Sequence, residues 1–127
     1  MVVRFRPHSW RQKFGHAFRG LRRALRTQHS FAVHLTVACL VLLAGVLLRF
    51  SATEWCLLVL TVGLVLVAET LNTAVESLAR AVGTGFHPRL RDALDIASGA
   101  VLLAAATAVA AGLCLFLPRL YRLWFVS

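Results

Sequence analysis

Glu69, Asn72 and Glu76 are the residues of this chain whose types and spacing best suit chemistry. At about 100° per residue they fall within about 60° of arc on one face of a helix, with Thr73 at its border. Acids are scarce, 5 in 127 residues, and Glu69, Glu76, Asp92 and Asp95 all lie in one stretch. An ionisable residue at the centre of a membrane span costs about 2.5–3.5 kcal/mol on insertion scales, so such residues suggest function by default. Carboxylates and an amide on one stripe offer the hard oxygen ligands that Mg²⁺ takes. A carboxylate shielded from water can also serve as a base. The plainer alternative is a set of polar residues above the bilayer paired with arginines. Arg80, four residues after Glu76, is placed for such a pair.

Other reactive side chains are weaker signals. Gly83, Thr84, Gly85, Phe86, His87 and Pro88 form a flexible turn without the GxxxxGK[ST] spacing of a phosphate loop. His87 by itself reads as a surface histidine. Asp92 and Asp95 stand at the start of the last helix, where an acid suits the helix dipole. The alternative sets an aspartate opposite Glu76 across a Mg²⁺ ion. Cys39, Cys56 and Cys114 show no CxxC or Cys/His metal spacing and are expected to be buried, inert thiols.

Four helical segments must position these groups. The first, about 7–28, carries Trp10, Phe14, Phe18, Leu21 and Leu25 at spacings of three and four, with arginines over much of the rest. That pattern belongs to a helix lying on the membrane surface, its arginines near anionic headgroups. The region lacks the apolar core and cleavage site of a signal peptide. Segments at about 31–50, 55–82 and 96–117 are apolar enough to span, since about 20 residues cross a core of about 30 Å. The middle one continues past Ala68 and is expected to project beyond the bilayer.

Composition agrees with a single small membrane domain over 1–127. Hydrophobic residues make up 59% and charged residues 15%, against about 45–50% and about 25% in soluble domains. The net charge of +9 does not imply a nucleic-acid binder in so apolar a chain. Eight of the 14 basic residues precede the first span, and Arg80, Arg89 and Arg91 lie between the second and third. Positive-inside counting places the N-terminus and the 80–95 loop in the cytoplasm. Ala97, Gly99, Ala100, Ala104 and Ala108 invite close helix packing. Three thin helices enclose a site poorly, so a homo-oligomer is expected.

At these residues the chain resembles the small prokaryotic lipid kinases, the diacylglycerol kinase and undecaprenol kinase family. The octapeptide ETLNTAVE, Glu69 to Glu76, matches the pattern E-x-[hydrophobic]-N-[ST]-A-[hydrophobic]-E. His34-Leu35, Glu54-Trp55, His87-Pro88 and Phe116-Leu117-Pro118 match around it, over about 14–120. The resemblance implies a homotrimer of three-span subunits, each with a surface helix, in the bacterial plasma membrane. It implies transfer of the ATP γ-phosphate to a lipid hydroxyl at the cytoplasmic interface, with Mg²⁺. Carried onto this chain, Glu69 takes the hydroxyl proton, Glu76 binds Mg²⁺-ATP, Asn72 supports the phosphate geometry, and His87 and Asp95 face the nucleotide. Gln28 stands where a metal-binding Glu is usual and can still offer a neutral oxygen. Arg80 stands where Asp is usual and Leu94 where a phosphate-contacting Lys is usual. Arg80, Arg89 or Arg91 would then supply the cation. These departures also fit a non-enzymatic trimeric scaffold or lipid-binding relative. A small transporter fits less well, because no line of acids continues across the bilayer.

Overall fold

The computed structural model describes residues 9–83 and 85–126. The expected surface-helix start at Pro7, and Thr84 of the turn, lie outside the described residues. Every regular element among the described residues is a helix: α1 (Trp10–Thr27), α2 (His29–Leu47), α3 (Ala52–Val82) and α4 (Pro88–Phe125). The last three are long and apolar enough to cross a membrane. In a bilayer core the backbone must satisfy its own hydrogen bonds, which is why apolar runs of this length become helices.

Each helix begins or ends on identifiable local chemistry. Ser9 and Gln12 form a capping box at the start of α1. Trp10, Phe14, Phe18, Leu21 and Leu25 are exposed along one stripe of α1, while Ala24 is buried. Gln28, in extended conformation, is the single residue between α1 and α2. The α2–α3 connection is equally tight. Arg49 adopts φ +54°, the Phe50 N–H bonds to the Gly45 carbonyl at 3.1 Å, and the Arg49 N–H bonds to the Val46 carbonyl at 3.2 Å. This is a Schellman motif with an arginine where glycine is usual. Ser51 and Glu54 then cap α3 reciprocally. That Ser-x-x-Glu capping box is legible in the sequence as the start of α3.

Two boundaries differ from expectation. α4 starts at Pro88 rather than near residue 96, because proline at the first helical position gives up only an N–H that has no partner there. Asp92 and Asp95 therefore lie beyond its first turn, and the helix-dipole reading of them does not hold, since that effect fades within one turn. At its other end α4 runs through Pro118 to Phe125 instead of stopping at Leu117. Proline removes one backbone bond, and the continuation delivers Arg119 to the α2–α3 turn. Arg119 Nε donates to Glu54 Oε2 at 3.1 Å, Nη2 donates to Glu54 Oε1, and Nη1 donates to the Leu48 carbonyl at 3.2 Å. The guanidinium thus pairs bidentately with the capping carboxylate and satisfies a carbonyl at the end of α2.

Under this clamp sits the core. Phe50, Leu58 and Leu115 are buried, with Trp55, Val62 and Phe116 packed around them. Phe50 lies 5.0 Å from the Phe116 ring and 6.1 Å from the Trp55 ring. Gly45 lets this cluster form: a Cβ there would stand 3.1 Å from Trp55 and 3.2 Å from Leu58. α3 packs chiefly on α4, while α1 rests on α2 and α3. Within the apolar 18-residue stretch of each span only 11–17% of residues are buried in one chain, so lipid or further chains must cover the rest. The cysteines belong to those outer faces: all three are exposed, not buried as expected, because apolar side chains in a span need not face a core.

Overfilling the Gly45 site should cost about 1–3 kcal/mol. A Gly45→Val protein is expected to melt several degrees below the parent in detergent, followed by circular dichroism.

Candidate functional site

The octapeptide of α3 lies at the end of the bundle where α2 begins and α4 starts. Its outer members are held differently. Glu69 is 3% exposed and Asn72 is 8% exposed, the two buried polar residues among those described. A buried carboxylate without partners is strongly unfavourable. Glu69 finds its partners on α2: the Ser30 hydroxyl donates to Oε1, and His34 Nε2 stands 3.6 Å from Oε2. Neither residue was singled out by the sequence analysis as part of a site. Their signal is two polar residues at i, i+4 on the first turns of an otherwise apolar helix.

Asn72 links the stripe. Its Nδ2 donates to Glu76 Oε1 at 3.0 Å, one turn along α3. Glu76 is half-buried, and its other oxygen lies 3.8 Å from Arg80 Nη2, the i+4 pair expected from spacing. Two buried oxygens on this turn, Asn72 Oδ1 and Thr73 Oγ1, have no hydrogen-bond partner among the described residues. Leaving such an atom unsatisfied costs about 1–3 kcal/mol.

Beyond Glu76 the α3–α4 turn forms an open cleft of about 560 Å³, walled by Glu76, Arg80, Phe86, His87, Arg91 and Leu94. Gly83 ends α3 at φ +110°, a conformation side-chain-bearing residues rarely adopt, and so turns the chain toward α4. The cleft brings His87 and Arg91 together with Glu76. Asp95 is exposed on α4 and is not in its wall. Gln28 sits half-buried at the α1–α2 junction, caps nothing with its side chain, and lies outside the cleft. A second groove, apolar and about 900 Å³, runs between α3 and α4 and has Asn72 in its wall.

No group of three or more His, Cys, Asp and Glu able to hold a metal ion forms among the described residues. The oxygens present nevertheless fit a hard divalent cation. The Glu76 carboxylate, with the unpartnered Asn72 Oδ1 and Thr73 Oγ1, is an all-oxygen donor set, which suits Mg²⁺ when substrate phosphates or water complete the coordination.

The chain is similar in sequence to known proteins over most of its length. Residues 15–116 match the family model described as prokaryotic diacylglycerol kinase. The chain is 38% identical over 109 residues to the undecaprenol kinase of Bacillus subtilis, covering 86% of this chain and 89% of that protein. It is 42% identical over 111 residues to a diacylglycerol kinase of Synechocystis, covering 87% of this chain but 63% of that longer protein. With the diacylglycerol kinase of Escherichia coli it shares 32% identity over 95 residues, 75% of this chain and 78% of that one.

The Arg80–Glu76 pair is exposed on the arginine side, so its stabilising effect is small. Arg80→Ala is expected to shift unfolding by less than about 0.5 kcal/mol, measured by denaturant titration in micelles.

Proposed function

Since the chain belongs to the prokaryotic diacylglycerol kinase family and is a lipid kinase, we propose that it transfers the γ-phosphate of ATP to the hydroxyl of diacylglycerol or undecaprenol. The reading sets the reaction at the cytoplasmic membrane interface, with Mg²⁺, in a homotrimer whose N-terminus is cytoplasmic. The observation that carries it is the continuity of one stripe on α3. It runs from the buried Glu69 through Asn72 to Glu76, where the basic cleft opens.

Each group has work suited to its place. The nucleotide's phosphates occupy the cleft, where Arg91 and Arg80 meet their charge. These arginines replace the cation that Leu94 does not carry. His87 lines the same wall. Mg²⁺, when bound, neutralises phosphate charge, and Glu76 with Asn72 Oδ1 would hold it; Gln28 joins only if a conformational change or a neighbouring subunit brings it near. Asp95 would likewise need such an approach to face the nucleotide. The lipid tail stays in the membrane while its hydroxyl reaches Glu69. The hydroxyl oxygen attacks the γ-phosphorus, the bond to the β-phosphate oxygen breaks, and the hydroxyl proton passes to the Glu69 carboxylate. Phosphoryl transfer of this kind depends mostly on positioning and charge neutralisation.

Two measurements test the reading. Labelled ATP with Mg²⁺ should transfer phosphate to undecaprenol or diacylglycerol in mixed micelles, and Glu76→Ala should reduce the rate about 100-fold or more. A folded oligomer that phosphorylates neither lipid would instead favour the scaffold reading. Arg91→Ala should raise the KM for ATP about 10-fold with little change in kcat, as removal of a charge-assisted hydrogen bond predicts. An unchanged ATP dependence would remove Arg91 from the nucleotide site.

A further inference from the structure

Glu69 is a carboxylate whose described partners all come from another helix. The polar neighbours on its own helix are engaged elsewhere or make no bond to it: Thr70 donates to the Leu66 carbonyl, Asn72 donates to Glu76, and the Thr73 hydroxyl has no partner among the described residues. Ser30 donates to Oε1 and thereby holds that oxygen. Among the described residues Oε2 is left as the oxygen with no hydrogen bond, because 3.6 Å from His34 Nε2 is beyond hydrogen-bond reach. Ser30 and His34 are one turn apart on α2, so together they face the two oxygens of a single carboxylate. Their position at the start of α2 ties this arrangement to the α1–α2 junction, where Phe31 is buried beside them.

We infer that Ser30 and His34 are positioning residues for Glu69. Ser30 occupies Oε1 and selects the carboxylate rotamer, so that Oε2 is the oxygen that receives the lipid hydroxyl's proton. His34 faces Oε2 and confines it to one side of the space between α2 and α3. This inference rests on the kinase reading and on Glu69 as proton acceptor, and extends both. Neither residue touches ATP or carries the transferred group. Their loss therefore acts on the rate of transfer and leaves nucleotide binding alone. A base displaced by a fraction of an ångström or freed to rotate loses much of its advantage.

The experiment measures kcat and the KM for ATP in mixed micelles for Ser30→Ala, Ser30→Thr, His34→Leu and Glu69→Gln, and for the double variant Ser30→Ala/Glu69→Gln. Size-exclusion chromatography checks that each keeps the parental assembly. Ser30→Ala and His34→Leu are each expected to lower kcat about 10-fold or more, with the KM for ATP unchanged. Ser30→Thr, which keeps the hydroxyl, should recover kcat to within about 3-fold of the parent. The double variant should be no slower than Glu69→Gln alone, because Ser30 acts through that carboxylate. Parental kcat in Ser30→Ala and His34→Leu beside an inactive Glu69→Gln would overturn the positioning role and leave the kinase reading standing. Multiplicative loss in the double variant would overturn it as well. Parental kcat in Glu69→Gln would overturn both the positioning role and the assignment of Glu69 as proton acceptor.

Discussion

A carboxylate buried between apolar helices has to be answered by a donor on the neighbouring helix, and the arrangement of this protein follows from that requirement at Glu69. α3 supplies the acid, but the polar side chains on its own adjacent turn make their bonds elsewhere, Thr70 to the Leu66 carbonyl and Asn72 to Glu76. The Ser30 hydroxyl from α2 and the nearby His34 ring fill the gap. For those two residues to reach, α2 must start close to Glu69, and the one-residue junction at Gln28 makes α1 deliver it there. α1 thus lies one residue from the helix that carries Ser30 and packs on both α2 and α3.

The opposite end of the bundle solves a different problem with the same economy. A four-residue connection between two spans leaves carbonyls at the end of α2 and a capping carboxylate at the start of α3. Arg119 answers both at once, bonding Leu48 and Glu54. Phe50 is buried beneath the guanidinium, with Phe116 and Trp55 around it. Polar chemistry thus sits at both ends of the spans, and between them lie surfaces that only lipid or other chains of similar polarity can cover. The small residues of α4 and the largely uncovered spans leave surfaces on which the proposed trimer could pack.

Much of this was legible beforehand. The apolar runs predicted three spans because length and hydropathy are properties of the chain itself. The amphipathic stripe of α1 followed from periodicity, and the Glu69, Asn72, Glu76 face from helical geometry. The Glu76–Arg80 pair needed only the i+4 spacing, since both partners ride one helix. Proline was the weak point. By local rules Pro88 belongs to the turn and Pro118 ends the last helix, whereas one begins it and the other lies within it. Local rules treat a proline's missing bond as a stop, and the tertiary reward for continuing, here Arg119 at Glu54, is invisible to them.

Helix number, the surface-seeking stripe and the spacing of the acids all derive from residues near one another in the chain, so reading the residues in order is enough to obtain them. Which oxygen of Glu69 is held, why Ser30 and His34 matter, and which cations share a cleft with Glu76 depend on contacts between helices. Ser30 and Glu69 are 39 residues apart, and Arg119 and Glu54 are 65 apart. No local periodicity carries information across such distances; packing supplies it, by placing side chains from separate helices against one another in an environment where an unanswered charge is too costly to persist.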